Sequence, residues 1–98
     1  MNNKYVHEHK ERNPKEKTLL INRLKRIEGQ VRGIEKMVES DAYCPKILVQ
    51  SSAVSRAMEA FSKEILLRHI KSCVVSDIRE GDDRVVEELV LLIQKMLK

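Results

Sequence analysis

Apolar residues recur along this chain at intervals of three and four, which is the period of an α-helix. The first such stretch follows a helix-start signal at 13–16, where Asn13 can cap the helix, Pro14 suits the first helical position and Glu16 completes a capping-box pair. The apolar positions of this stretch are Leu20, Leu24, Ile27, Val31, Ile34 and Val38. Their alternating spacing of four and three predicts a first helix with a heptad seam that ends near Ser40.

A second and much longer helix is predicted from the lack of helix breakers. After the short turn at 40–45, Pro45 suits the first turn of a helix, and residues 46–80 contain neither Gly nor Pro. Apolar residues recur in this stretch at Val54, Met58, Phe61 and Ile65. We therefore predict one helix of about 35 residues that Gly81 ends.

A third helix is predicted after Gly81, with Asp82 or Asp83 as its cap. Its apolar face consists of Val85, Val86, Leu89, Val90, Ile93, Met96 and Leu97. No strand-like alternation or internal repeat occurs. The predicted fold class is all-α, with three helices and a very long second one. The predicted organisation is a flexible polar arm at 1–12 and a single helical domain at 13–98.

The composition indicates a chain that associates. It has 98 residues, only one Phe and two Tyr, and no Trp, so its own core is expected to be small. No apolar run approaches the roughly 20 residues of a membrane span. The polar start at 1–17 does not resemble a signal peptide. We therefore expect a cytoplasmic protein without a membrane partner, in which a structural disulfide is improbable.

The charge is unevenly distributed. Residues 1–39 carry ten Lys/Arg and six Asp/Glu, an excess of four positive charges, whereas residues 40–98 carry nine of each. A local basic excess is typical of proteins with a polyanionic partner such as nucleic acid. An ordinary solvated helix face with a disordered tail would give the same pattern.

Three residues form a candidate metal site. His69 and Cys73 are four apart, so a helix would place them on one face, and Cys44 is a candidate third ligand. Thiolate and imidazole suit Cu(I), zinc and other softer metals. Each residue is equally compatible with an ordinary core position, since an unpaired Cys behaves as a small hydrophobe. His7 and His9 in the arm are weaker candidates.

One helix cannot bring Cys44 to His69 and Cys73. His69 and Cys73 follow Cys44 by 25 and 29 positions, which correspond to about 37–44 Å along a helix. Metal–ligand bonds are only about 2.0–2.3 Å long. An antiparallel dimer of the second helix would place Cys44 of one copy beside the pair of the other, and two-fold symmetry would produce the site twice. The crossing would lie near residues 57 and 58, where small residues permit close approach. These small residues are Ala53, Ala57 and Ala60.

Four segments carry a resemblance to a known family: "NRLKRIEGQVRGIEKMVESDAYC" at 22–44, "SSAV" at 51–54, "HIKSC" at 69–73 and "VEEL" at 86–89. They resemble the CsoR-type copper-sensing transcriptional repressors. The R-x-x-G-Q-x-x-G segment, here Arg26, Gly29, Gln30 and Gly33, marks the wider family of small helical repressors that sense metals, formaldehyde or persulfide. The set of Cys44, His69 and Cys73 is similar to that of the copper branch.

The resemblance implies an antiparallel dimer that assembles into a dimer-of-dimers tetramer. It implies a Cu(I) site of Cys44, His69 and Cys73 shared between subunits, with Tyr43 and Glu88 beside it. It also implies that the metal-free tetramer binds operator DNA of copper-resistance or efflux genes, and that Cu(I) binding releases it. No enzymatic constellation is recognisable, so we do not expect an enzyme.

The DNA contacts are expected on a basic surface of the first two helices, because no helix-turn-helix pattern is present. The primary candidates are Arg23, Lys25, Arg26 and Arg32, and the secondary ones are Lys36 and Arg56. Phosphate-dominated binding would be strongly salt-dependent.

Three alternative functions fit parts of the sequence. A persulfide or other-metal sensor of the same family would use some of the same residues. A metal-buffering protein would bind copper without binding DNA, and a purely structural helical oligomer would bind neither.

Overall fold

The structure is a computed structural model that describes residues 12–97. Its elements are α1 (Pro14–Glu39), α2 (Cys44–His69), a π-helical turn (Ile70–Val74), α3 (Val75–Arg79) and α4 (Arg84–Met96). No strand occurs between residues 12 and 97. The prediction of an all-α fold with a long second helical segment is confirmed. The predicted arm, together with His7 and His9, lies outside the described residues except for Arg12.

Helix α1 starts where the sequence predicts it. The Asn13 side-chain oxygen accepts a hydrogen bond from the Lys15 backbone N–H at 2.8 Å, and Pro14 is the first helical residue. The Arg12 guanidinium donates to the Glu16 carboxylate at 2.9 Å. Glu16, which we predicted as a capping-box partner, thus pairs with the residue just before the cap.

A tight turn ends α1. Asp41 adopts a left-handed conformation with φ of 57°, which few residues other than Gly and Asn accept. The Asp41 N–H donates to the Val38 carbonyl at 3.1 Å, and the Ala42 N–H donates to the Met37 carbonyl at 2.9 Å. This pair of bonds is a Schellman motif. It satisfies carbonyl groups at the helix end and lets α2 begin at Cys44, two residues before the start that we predicted.

The chain consists of two compact units, of which the first is Arg12–Glu64. In this unit, residues of α1 and of the adjoining part of α2 line a groove. The groove has a volume of about 430 Å³. Its lining is Leu19, Asn22, Arg23, Arg26 and Ile27 from α1, with Ala57 and Ala60 from α2. The buried apolar residues of α1 are Leu20 and Ile27, both from the predicted heptad seam.

The second unit comprises residues 65–97 of the part of the chain that the structure describes. Here the backbone continues from α2 into a π-helical turn, in which the Val75 N–H donates to the Ile70 carbonyl five residues earlier. The prediction of one helix of about 35 residues that Gly81 ends is confirmed, since helical backbone continues from Cys44 to Arg79, and the π-helical turn within it was not predicted. Gly81 ends the segment as predicted, with φ of 87°.

Helix α4 lies against the π-helical turn. The Asp82 carboxylate accepts from the Arg84 backbone N–H at 3.1 Å, which makes Asp82 rather than Asp83 the side-chain cap. The Asp82 carboxylate also accepts a hydrogen bond from the Arg84 guanidinium at 2.8 Å. This hydrogen bond is the main cause that raises the pKa of Arg84. On the predicted apolar face of α4, Val85 is fully buried, whereas Val86 is 41 % exposed.

Much apolar surface remains uncovered. In the part of the chain that the structure describes, the buried apolar residues are Leu20, Ile27, Val74 and Val85. Helix α2 contributes no buried residue, and Leu48 and Val49 on it are 66 % and 63 % exposed. No helix among residues 12–97 is long and apolar enough to cross a membrane.

Candidate metal centre

Two of the candidate ligands lie at the junction of α2 and the π-helical turn. His69 is the last residue of α2, and Cys73 is the fourth residue of the turn. The His69 side chain is 22 % exposed, and Cys73 is a half-buried free thiol. Cys73 follows His69 by four positions, which is about one turn of helical backbone, so the two project from the same side of the segment.

A carboxylate from α4 lies beside the imidazole. Glu88 is buried, with 8 % of its surface exposed, and its Oε1 is 4.0 Å from Nε2 of His69. A buried carboxylate requires a polar partner, because burial without one is costly. Glu88 thus lies on the Nε2 side of the ring, and a carboxylate commonly lies beside the nitrogen of a metal-binding histidine that does not bind the metal. The structure thus brings together His69 and Glu88, which the sequence had linked only through a family resemblance.

The third candidate ligand belongs to the other compact unit. Cys44 is exposed and is the first residue of α2, and Tyr43 before it is 71 % exposed. The Tyr43 carbonyl accepts from the Lys46 N–H at 2.9 Å, so its backbone takes part in the first turn of α2. These two residues belong to the unit Arg12–Glu64, whereas His69, Cys73 and Glu88 belong to the other.

The length of α2 decides whether one chain can supply all three ligands. Cys44 and His69 are the first and last of its 26 residues. Such a helix is about 39 Å long, many times the span of two metal–ligand bonds. Within residues 12–97 of one chain, no group of three His, Cys, Asp or Glu side chains is placed to hold a metal. Two thiols and one imidazole nevertheless form a donor set that fits Cu(I) or zinc when two chains contribute.

The candidate DNA contacts all lie on α1 and are exposed: Arg23, Lys25, Arg26 and Arg32. They divide between two sides of the helix. Arg23 and Arg26 line the groove beside α2, whereas Lys25 and Arg32 are seven residues apart and share a different side. Among the secondary candidates, Lys36 is exposed, and the exposed Arg56 donates to the Ser52 hydroxyl at 3.1 Å.

The structure also shows features that the sequence analysis missed. The Ser72 hydroxyl lies 2.7 Å from the Arg68 carbonyl and 3.7 Å from the Cys73 sulfur. The only sequence signal for these contacts was the serine directly before the cysteine. On α1, the side-chain oxygen of Gln30 is buried without a hydrogen-bond partner among the described residues. A methyl group at Gly33 would meet no atom within 4 Å outside its own helix turn, so no other backbone among residues 12–97 approaches there.

Comparison with known proteins identifies the family. A family model described as "metal-sensitive transcriptional repressor" matches residues 16–95. The copper-sensing transcriptional repressor CsoR of Bacillus subtilis is 49 % identical over 85 residues, which cover 86 % of this chain and 84 % of that protein. The copper-sensing transcriptional repressor RicR of Mycobacterium tuberculosis is 46 % identical over 59 residues, which cover 60 % of this chain and 62 % of RicR.

Two solved structures share the fold. The crystal structure of the copper-sensing repressor CsoR with Cu(I), from Geobacillus thermodenitrificans, superposes with a TM-score of 0.90 at 42 % identity and covers 96 % of this chain and 100 % of that one. The nickel-responsive transcriptional regulator InrS superposes with a TM-score of 0.72 at 32 % identity and covers 91 % of this chain and 98 % of that one. With the family model matching most of its length, this chain belongs to the metal-sensitive transcriptional repressor family, and it is therefore a regulator rather than an enzyme.

Proposed function

We propose that this protein is a cytoplasmic Cu(I)-responsive transcriptional repressor. In this proposal, the metal-free protein binds operator DNA of copper-resistance or efflux genes, and Cu(I) binding releases it. The relatives named above include three copper-sensing repressors, at 49 %, 46 % and 42 % identity. The similarity to a nickel-responsive regulator is lower, at 32 % identity.

The observation that carries the proposal is the arrangement of His69, Cys73 and Glu88. The imidazole has a buried carboxylate on its Nε2 side, and a thiol follows it by one helical turn. A metal-binding His is commonly held by such a carboxylate, which fixes the ring and increases the basicity of the other nitrogen. Cu(I), as the sensed ion, prefers thiolate and imidazole donors. Cys44 of a second chain supplies the remaining thiolate.

The proposed assembly is an antiparallel dimer, and two dimers form a tetramer. The 26-residue length of α2 supports sharing of each site between chains, because one chain cannot bring its own Cys44 to its own His69. The exposure of Leu48 and Val49 on the same helix supports burial against another copy. In a two-fold dimer each chain contributes Cys44 to one site and the other two ligands to the second site.

DNA binding is assigned to the basic side chains of α1. Arg23, Lys25, Arg26 and Arg32 are exposed, and none of the four has an ion-pair partner among residues 12–97. Their charges are therefore available to phosphate groups. Binding through four phosphate contacts predicts that the logarithm of the affinity falls with the logarithm of salt concentration at a slope near −3.6 per chain, from roughly −0.9 for each contact.

Release requires that the metal-loaded protein prefer a conformation with weaker DNA affinity. Glu88 provides the link, since it connects α4 to the imidazole that binds the metal. A change in the His69 position is transmitted to α4 through the contact of 4.0 Å. A coupling free energy of about 3 kcal/mol corresponds to a decrease of about 150-fold in operator affinity.

The test is operator binding measured by fluorescence anisotropy with and without Cu(I). The wild type is expected to bind without metal and to weaken strongly when one Cu(I) per chain is added. Cys44→Ala should bind DNA like the wild type but fail to respond to Cu(I). Ser55→Ala, at an exposed position on the same helix, is the matched control and should respond fully.

Three results would contradict the proposal. An operator affinity that Cu(I) leaves unchanged in the wild type would remove the sensing function. Tight Cu(I) binding without any DNA binding would instead indicate a metal-buffering protein. Release by a persulfide donor but not by Cu(I) would favour the persulfide-sensing alternative.

A further inference from the structure

The π-helical turn at Ile70–Val74 is an unusual place for a proposed metal ligand. Such turns are rare, and they occur frequently at functional sites because they re-aim side chains within a helix. This turn contains Cys73 and directly follows His69, and Val74 within it is only 4 % exposed. The packing of α4 against the turn stabilises it from one side. A second stabilising contact comes from the exposed side.

That contact is made by Ser72. Its hydroxyl oxygen lies 2.7 Å from the carbonyl of Arg68, which belongs to the last turn of α2. The bond therefore joins α2 to the π-helical turn across the point where the helical geometry changes. A serine that bonds to the carbonyl four residues earlier commonly bends or distorts a helix. Ser72 is thus placed to hold the wide turn in its observed geometry.

The same hydroxyl also contacts the sulfur of Cys73, at 3.7 Å. A serine hydroxyl has a single proton to donate but can rotate to direct it. In the metal-free protein the shorter distance favours donation to the Arg68 carbonyl. A ligand sulfur is a hydrogen-bond acceptor within reach of the same hydroxyl after a rotation, and hydrogen bonds to charged groups are about twice as strong as neutral ones.

We propose that Ser72 is a positioning residue for Cys73: in the metal-free protein its hydroxyl donates to the Arg68 carbonyl and holds the π-helical turn, and in the metal-bound protein the hydroxyl rotates and donates to the ligand sulfur instead. The metal-bound part of this inference rests on the proposed function. The expected consequence is that Cu(I) affinity depends on the Ser72 hydroxyl even though this hydroxyl does not contact the metal. Removal of one such hydrogen bond should weaken Cu(I) binding about fivefold.

The experiment compares the full-length wild type with three variants. Ser72→Ala removes the hydroxyl, and Ser72→Thr retains it. Ser76→Ala is the matched control, because Ser76 is an exposed serine one turn further on in α3. Circular dichroism first establishes that each variant has the helical content of the wild type.

Hydrogen exchange of the metal-free proteins tests whether Ser72 holds the turn. In Ser72→Ala, the backbone amides of residues 72–75 should exchange about fivefold faster than in the wild type. In Ser72→Thr and Ser76→Ala, these amides should exchange at the wild-type rate. Equal exchange in Ser72→Ala and the wild type would overturn this half of the proposal without any reference to copper.

Cu(I) titration against a competing chelator tests the positioning role. Ser72→Ala should bind Cu(I) about fivefold more weakly, and its thiolate-to-copper absorption band in the ultraviolet should shift, because the sulfur has lost a hydrogen-bond donor. Ser72→Thr should restore both values. Faster exchange with unchanged affinity and an unchanged band would reduce Ser72 to a structural residue and overturn its positioning role. Failure of the wild type itself to bind Cu(I) would overturn the proposed function instead, while the exchange result would still decide whether Ser72 holds the turn.

Discussion

Sharing of ligands between chains can be tested by mixing two inactive variants. Cys44→Ala lacks the ligand at the start of α2, and Cys73→Ala lacks the ligand in the π-helical turn, so neither variant alone forms a three-ligand site. Because α2 is about 39 Å long, each site must combine Cys44 of one chain with His69 and Cys73 of the other. In a mixed dimer, one of the two sites therefore receives all three wild-type ligands, and the second site lacks two.

The expected signal follows from this geometry. When equal amounts of the two variants are unfolded together and refolded, about half of the dimers are mixed, and half of the sites in these dimers are complete. The mixture should therefore retain about a quarter of the wild-type Cu(I) capacity. The assay is Cu(I) retained per chain in the presence of a chelator that strips two-ligand sites.

A second mixture provides the control. Wild type refolded with the double variant Cys44→Ala/Cys73→Ala should retain about a quarter of the wild-type capacity if sites are shared, because a mixed dimer then has no complete site. It should retain about half if each chain forms its own site. Zero capacity in the first mixture, or about half in the second, would refute the argument from the helix length.

Three further predictions concern individual side chains. Val85→Ala should lower the free energy of unfolding by about 2–3 kcal/mol, because Val85 is fully buried. Val86→Ala, at the neighbouring position that is 41 % exposed, should lower it clearly less. Urea denaturation at fixed protein concentration measures both values, and equal losses would contradict the burial pattern. Glu88→Gln should weaken Cu(I) binding by about 10–100-fold in chelator competition, whereas the exposed Glu87→Gln should not change it. Gly81→Ala should lower the free energy of unfolding by about 1–2 kcal/mol, because an alanine is strained at a φ of 87°. A methyl group there would meet no neighbour, so backbone strain is the only cause of the loss. An unchanged melting temperature would count against the positive φ at Gly81.

The helix boundaries were predictable because local chemistry determines them. The Asn13 cap, the stop at Gly81 and the carboxylate cap at Asp82 each depend on residues within one turn, and the structure contains all three. The end of α1 near Ser40 was predicted without a glycine to mark it. Asp41, rather than a glycine, adopts the left-handed conformation there, and the sequence alone did not indicate this.

The π-helical turn could not be predicted from its sequence. The segment "IKSCV" has no breaker and is equally compatible with an α-helix. The wider geometry depends on packing by α4 and on the Ser72 contact, both of which are known only from the folded chain. Periodicity likewise predicted which residues of α4 share an apolar face, but not that Val85 would be covered and Val86 left open.

The candidate site was only partly predictable. The donor types and the spacing of His69 and Cys73 indicated soft-metal chemistry from the sequence. Glu88 lies 19 positions after His69, so only the family resemblance linked the two, and the structure gives 4.0 Å between Nε2 of His69 and Oε1 of Glu88. The ligand role of all three metal-site candidates stays a prediction.

Helix α2 buries none of its 26 residues within its own chain. If association with another copy covers this helix, the free energy of folding and the free energy of association cannot be separated, and dilution of the protein promotes its unfolding. The rate at which a cell makes the protein then sets two quantities at once: how many operators are occupied and what fraction of chains survives proteolysis. A fall in expression would reduce repression more than in proportion, because the remaining chains would also be degraded faster.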